Sequence, residues 1–178
     1  RFVRMQGFDR ARCSSCRISG VSMHKLLMSL ILGFSVLAPN AAADGAVVVR
    51  AIEGGFDEIR ERVEFAVQSQ GLVVDHSSKV GDMLARTGKD LGETTRVFGE
   101  AEVLEFCSAL VSRRMVEADP QLLAFCPYGI AVYTLPDQPE ITYVSYRRLV
   151  TDLALPEQRT VLERVEALLE AIVEEASM

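Results

Sequence analysis

Two cysteines, Cys107 and Cys126, offer the most versatile chemistry in the chain after residue 44. An even number of cysteines in an exported protein favours a structural disulfide, and the bond would close a loop of about 20 residues, worth roughly 3 kcal/mol. Buried free thiols and a redox pair are the alternatives. A Cys-x-x-Cys spacing occurs only at Cys13 and Cys16, in the region ahead of the fold, which weighs against a thioredoxin-like oxidoreductase.

Thiolate and thioether ligands also suit Cu(I), so a soft-metal site could combine Cys107 and Cys126 with Met115 and His76. On one helix, Cys107 and Met115 would share a face two turns apart, but a core stripe has the same spacing, and we favour the core. His76 is the sole histidine after residue 44, which excludes His-rich zinc sites and leaves a His-based triad no alternative base. We expect His76 in a solvated turn, and the sequence names no cofactor.

Two arginine pairs, Arg113 with Arg114 and Arg147 with Arg148, could converge on a carboxylate or a phosphate. Salt bridging to the surplus of acids is the interpretation that we favour. No P-loop, Gly-x-Gly-x-x-Gly motif or paired-carboxylate signature is present. Without an assembled catalytic constellation, we favour a role other than that of an enzyme.

The charge balance argues against a nucleic-acid partner. From Asp44 onward, 13 basic residues face 24 acidic ones, a balance of −11. Binding to nucleic acid depends on the neutralisation of phosphates by basic side chains.

Residues 23–43 have the pattern of a secretory signal peptide. A basic start precedes an apolar run of about 13 residues, and Ala41 to Ala43 supply the small residues that signal peptidase needs. The run is too short for a membrane span, which takes roughly 20 residues. We predict cleavage after Ala43, a periplasmic or extracellular location and no stable membrane anchor. Residues 1–22 are interpreted as an upstream extension, with a mitochondrial transit peptide as the minor alternative.

The elements that must position the cysteines follow from periodicity and turn residues. We predict helices over 56–69, 80–86 and 101–118 and a last helix from Pro156, because apolar residues recur there at helical spacing. Strands are predicted over 46–52, 72–74, 94–99, 122–135 and 140–149. Hairpin strands beside long helices indicate a single α+β domain over residues 44–178, with helices on one face of a mostly antiparallel sheet.

Several short motifs carry a family resemblance. They are Phe56-Asp57-Glu58-Ile59, Gly71-Leu72-Val73, Val97-Phe98-Gly99 and the run from Phe125 to Tyr133. On these the chain resembles the domain of unknown function 302 family, over about Ala46 to Arg148. The resemblance implies a compact α+β unit similar to one repeat of the TATA-binding protein, and it transfers no catalytic residues.

We therefore expect an exported, non-catalytic module that binds a small ligand, or has an accessory role, through a cavity between sheet and helices. Sheet edges that need cover suggest a homodimer. The alternative is a thiol redox or soft-metal (copper) handling protein that uses Cys107 and Cys126.

Overall fold

A five-stranded antiparallel sheet organises the described part of the chain, residues 45–150 and 154–178 of a computed structural model. Its spatial order is β1-β5-β4-β3-β2. The strands are β1 (Val47–Glu53), β2 (Val74–Ser78), β3 (Ala101–Phe106), β4 (Tyr128–Leu135) and β5 (Gln138–Arg147). The helices are α1 (Phe56–Ser69), α2 (Val80–Asp90), α3 (Ala109–Ala118) and α4 (Pro156–Ala176), with a 3₁₀ helix over Pro120–Phe125. The predicted extension 1–22 and signal peptide 23–43 lie outside the described residues.

The core forms on one face of the sheet because side chains alternate between its two faces. Along β4 every second residue is buried, from Tyr128 to Thr134, and the register places Leu104 of β3 and Tyr146 of β5 beside Ile130. Helices α1, α3 and α4 contribute their buried residues to the same hydrophobic cluster. The α+β class, with helices packed on an antiparallel sheet, is thus confirmed.

The opposite face of the sheet carries the stacked rings of Tyr133 and Tyr143, 5.2 Å apart, beside smaller side chains. One row across the strands runs Ser78, Val103, Ala131, Ser145 and Val49. We call it the open face. A shallow depression of about 390 Å³ lies on it, next to Pro127 and Arg147 at the end of β5.

The first and last helices and the hairpin agree with the sequence analysis. Helix α1 has the predicted bounds, and Gly71 follows it with a φ of 72°, which glycine adopts without strain. Helix α4 begins at Pro156, as predicted from the preference of proline for the first helical position. The hairpin turn is shorter than expected, because β5 already begins at Gln138.

The middle of the chain differs from the prediction. Residues 101–118 were expected to form one helix, but 101–106 form β3 and only 109–118 are helical. Leu104 and Phe106 alternate into the core, and pairing with β4 fixes them in a strand. The strand predicted over 94–99 is wrong, since those residues form no regular element.

Three other boundaries shift. The second strand is β2, over 74–78 rather than 72–74, and α2 extends to Asp90 beyond the predicted end at Arg86. The strand predicted from Leu122 starts only at Tyr128, because Pro120 opens a 3₁₀ helix. Within residues 45–150 and 154–178, no helix is both long and apolar enough to span a membrane.

Candidate functional site

The fold brings the two cysteines together, although one precedes α3 and the other follows the 3₁₀ helix. Cys107 lies in the two-residue link between β3 and α3, and Ser108 follows it as the N-cap, accepting a hydrogen bond from the Val111 amide. Cys126 lies between the 3₁₀ helix and β4. The predicted positions of Cys107 on a helix and Cys126 on a strand are therefore both wrong.

Ser112, in the first turn of α3, contacts both sulfurs. Cys126 Sγ donates to Ser112 Oγ at 3.3 Å, and Ser112 Oγ lies 3.9 Å from Cys107 Sγ. The same oxygen is 2.8 Å from the Tyr128 hydroxyl. We call Cys107, Ser112, Cys126 and Tyr128 the thiol cluster. Its two cysteines are half-buried free thiols in this structure.

Burial weakens the acidity of two groups of the thiol cluster, Cys107 and Tyr128. It raises the pKa of the Cys107 thiol, and the charge and hydrogen bond of Cys126 raise it further. Burial likewise raises the pKa of Tyr128 to about 12, although its hydrogen bond with Ser112 acts in the opposite direction. Because the thiolate is the reactive form of cysteine, Cys107 is a poor nucleophile at neutral pH.

The other predicted metal ligands lie elsewhere. Met115 is fully buried in the hydrophobic core, as the core interpretation predicted, and it no longer shares a helix with Cys107. His76 is exposed on β2 opposite Glu105, rather than in a turn. Among the described residues, no group of three or more His, Cys, Asp and Glu side chains is placed to hold a metal ion.

The arginine pairs have separate partners. Arg113 Nε donates to Glu117 at 2.7 Å one turn along α3, which is the salt bridging that we favoured. Arg148 Nε donates to the Gly45 carbonyl at 3.2 Å, and Arg147 lies opposite Val47 at the end of β5. Arg114 is exposed on α3. In residues 45–150 and 154–178 no contact joins the two pairs into one anion site.

Helix α2 presents a feature that the sequence analysis missed. None of its residues is buried, yet Met83 and Leu84 are apolar, and the segment after it exposes Leu91 (75 %) and Val97. Between α2 and residues 91–98 lies a cleft of about 760 Å³, lined mostly by apolar atoms. We call it the α2 cleft. The signal was the helical spacing of Val80, Met83, Leu84 and Leu91, hidden by three glycines.

Glycine and aromatic contacts hold both walls of the α2 cleft. A Cβ on Gly81 would lie 2.8 Å from the Ala101 nitrogen, so only glycine lets α2 approach β3 this closely. The opposite wall is fixed by Phe98, whose ring meets Tyr133 edge-on at 5.4 Å, and by the Gly99 amide, which donates to the Thr134 carbonyl. The cleft therefore lies beside the sheet. The sequence analysis had led us to expect a cavity between the sheet and its core helices.

A second, polar cleft of about 460 Å³ adjoins the α2 cleft and shares Gly81 and Arg96 with it. Its lining includes Lys79 and Glu102, whose carboxylate accepts from Arg60 Nε at 2.8 Å. Burial alone would raise the pKa of Glu102, but hydrogen bonds from Arg60 and Ser77 lower it below the ordinary value. Glu102 is therefore a paired carboxylate at neutral pH.

Comparison with known proteins gives a family and a fold. The sequence profile of the family described as "Domain of unknown function DUF302" matches residues 48–176. Among solved structures, the chain is similar to the crystal structure of an uncharacterized conserved DUF302 protein from Bacillus stearothermophilus, with a TM-score of 0.62 and 18% identity. The similarity covers 74% of this chain and 98% of that one. No curated protein matches the chain.

Proposed function

We propose that this chain, which belongs to the DUF302 family, is a non-catalytic module that binds a small apolar ligand in the α2 cleft. The observation that carries the proposal is the apolar side of α2, a helix with no buried residue, facing a cavity of about 760 Å³. Typical ligand pockets have about 300–1,000 Å³ and are mostly apolar.

The physical reason is the cost of leaving the cleft in water. Contiguous exposed apolar surface bordered by polar residues is a common feature of ligand-binding grooves. Leu84, Leu91 and Val97 lie within one cleft, and each would lose contact with water when a ligand enters. Burial of their apolar surface contributes roughly 25 cal/mol for each Å².

Titration with the neutral, environment-sensitive dye Nile red tests the proposal. We expect saturable, blue-shifted fluorescence from the wild-type domain, and at least tenfold weaker binding to Leu84→Asp, because a carboxylate would stand in the cleft. Leu123→Asp is the matched control, since Leu123 is 63 % exposed on the 3₁₀ helix and does not line the cleft. Dye binding that is absent, or equal in both variants, would contradict the proposal.

The thiol cluster supports a second candidate, dithiol–disulfide exchange. The supporting observation is that Ser112 Oγ contacts both sulfurs and that Cys126 also forms a hydrogen bond with Cys107, which makes the two thiols neighbours. One thiol, after loss of its proton, would attack oxidised glutathione and release one glutathione thiolate. The other would displace the second glutathione and leave a Cys107–Cys126 bond.

Glutathione redox buffers, read by intact-mass spectrometry, separate the two cysteine roles. A redox carrier would gain and lose two hydrogens within the range of glutathione potentials, and Cys107→Ser or Cys126→Ser would stop at a mixed disulfide. A structural disulfide would resist reduction, as bonds with potentials below about −300 mV do. The same spectra under metal-preserving conditions test the soft-metal alternative, which now depends on Cys107 and Cys126 alone.

We also propose that the module works outside the cytoplasm as a homodimer. Its predicted export signal supports the location, and the edge strand β1, with exposed Val47 and Val49, supports the assembly. Fractionation of cells and light scattering of the purified domain test the two statements independently. A monomer under all concentrations would remove the dimer without affecting the ligand proposal.

A further inference from the structure

We infer that the ligand of the α2 cleft is a single-chain amphiphile with an anionic headgroup, its chain between α2 and residues 91–98 and its headgroup at Arg96. The inference rests on the proposed function and specifies the chemical class of its ligand. It follows from the way an apolar and a polar cleft meet.

The two adjoining clefts divide into an apolar and a polar compartment. Leu84, Leu91 and Val97 line the larger compartment, and Lys79 and Glu102 line the smaller one. Arg96 lines both, so this residue stands where the two compartments meet, and its guanidinium donates to the Gly99 carbonyl at the wall of the smaller one. A ligand that fills the apolar compartment and presents a polar end at the boundary matches this division. That is the chemistry of an amphiphile.

The charges around the apolar compartment favour an anion. Lys89, Arg96 and Glu93 are its charged lining residues, a local balance of +1 in a domain whose overall balance is −11. Arg96 donates through one nitrogen to the Gly99 carbonyl at 2.5 Å and, among the described residues, forms no ion pair. A guanidinium has five N–H donors in a fork that fits a carboxylate or a phosphate, so donors remain for a headgroup.

The polar compartment fixes how far the headgroup can go. Asp82, Glu100 and Glu102 line it against Lys79 and Arg96, and Glu102 is already paired with Arg60. An anion placed deep among these carboxylates would be repelled. The headgroup therefore stays at the boundary, next to Arg96, and the chain extends into the apolar compartment.

Isothermal titration with two ligands of equal chain length tests the inference. We expect the full domain to bind dodecanoate at least tenfold more tightly than dodecan-1-ol, both below their aggregation limits. Arg96→Gln should remove that difference and leave dodecan-1-ol binding unchanged, which also shows that the cleft remains folded. Arg86→Gln is the matched control, because Arg86 is an exposed α2 residue that does not line either cleft. Decanoate should bind more weakly by about fourfold for each methylene lost.

Each result separates the inference from the proposed function. Equal affinity for alcohol and carboxylate, or tighter binding of dodecyltrimethylammonium, overturns the anionic headgroup while the apolar cleft stands. No saturable binding of any of the three overturns both. A domain that sediments as a dimer with Leu84 protected from solvent, and binds none of them, identifies a second copy as the occupant of the cleft.

Discussion

Tyr128 holds a hydroxyl group at the edge of the core, 2 % exposed and hydrogen-bonded to Ser112. Burial raises its pKa to about 12, whereas an unfolded tyrosine titrates near 10. Between those values the unfolded chain binds fewer protons than the folded one, so the stability due to Tyr128 is complete below about pH 10 and falls as pH rises toward 12.

The pH dependence can be measured by comparing Tyr128→Phe with the wild type in urea unfolding. At neutral pH the variant should be less stable by about 1 kcal/mol, because it loses one hydrogen bond. From about pH 9.5 to pH 11 we expect this gap to shrink by about 1 kcal/mol, since only the wild type loses stability through this side chain. A constant difference in the free energy of unfolding between the two proteins over that pH range would show that the pKa of Tyr128 is not raised.

At the scale of elements, we expect replacement by alanine to have opposite effects on stability at two glycines of α2. Gly81→Ala should destabilise the domain by about 1–3 kcal/mol, because the new Cβ would lie 2.8 Å from the backbone nitrogen of Ala101. Gly88→Ala should stabilise it by about 0.5–1 kcal/mol, since its Cβ would meet only Glu93 Cβ, at 3.8 Å, and alanine is the better helix former.

Urea unfolding with hydrogen exchange of the α2 amides measures both variants, and each serves as the control for the other. Equal effects of the two substitutions would mean that α2 does not dock on β3 through Gly81. The cleft depends on that contact, so Gly81→Ala should also weaken Nile red binding.

Sequence patterns predicted the elements whose periodicity is unambiguous. Helices α1 and α4 have long apolar stripes, and the prolines around residue 136 mark the hairpin. Residues 101–106 fit a helical and a strand period equally well, and only pairing with β4 decides between them. The sequence therefore favoured one helix where the fold has a strand, a cysteine link and a shorter helix.

The candidate sites show the same division between local and long-range information. The sequence alone identifies Cys107 and Cys126 as the residues with redox chemistry. The contact of Ser112 with both sulfurs depends on the path of the chain after β3, which the sequence pattern does not give. The α2 cleft was hidden because glycines interrupt the apolar spacing of residues 80–91. The close packing of Gly81 against β3 depends on the tertiary structure, and no local sequence pattern predicts it.

At the scale of the whole molecule, the open face and the net charge together bear on whether the domain binds nucleic acid. The family resemblance implies a unit similar to one repeat of the TATA-binding protein, and an exposed antiparallel sheet therefore invites comparison with DNA binding. Around the depression on that face, however, Arg147 is matched by Glu105, and the domain as a whole carries −11. We therefore expect no net attraction to the phosphates of nucleic acid.

We accordingly predict that a fluorescently labelled duplex shows no rise in anisotropy with the domain, even at about 50 mM salt, where such binding is strongest. The comparison variant is Glu105→Lys combined with Glu53→Lys, which adds positive charge to two strands of the sheet; any anisotropy gained by this variant and not by the wild type would measure the effect of local charge. Binding by the wild type that weakens steeply with added salt would show that local basic residues outweigh the net charge, and Arg147 would then be the first residue to replace. Binding that ignores salt would instead indicate contacts other than those to phosphate, because the release of counterions accompanies every phosphate that a protein neutralises.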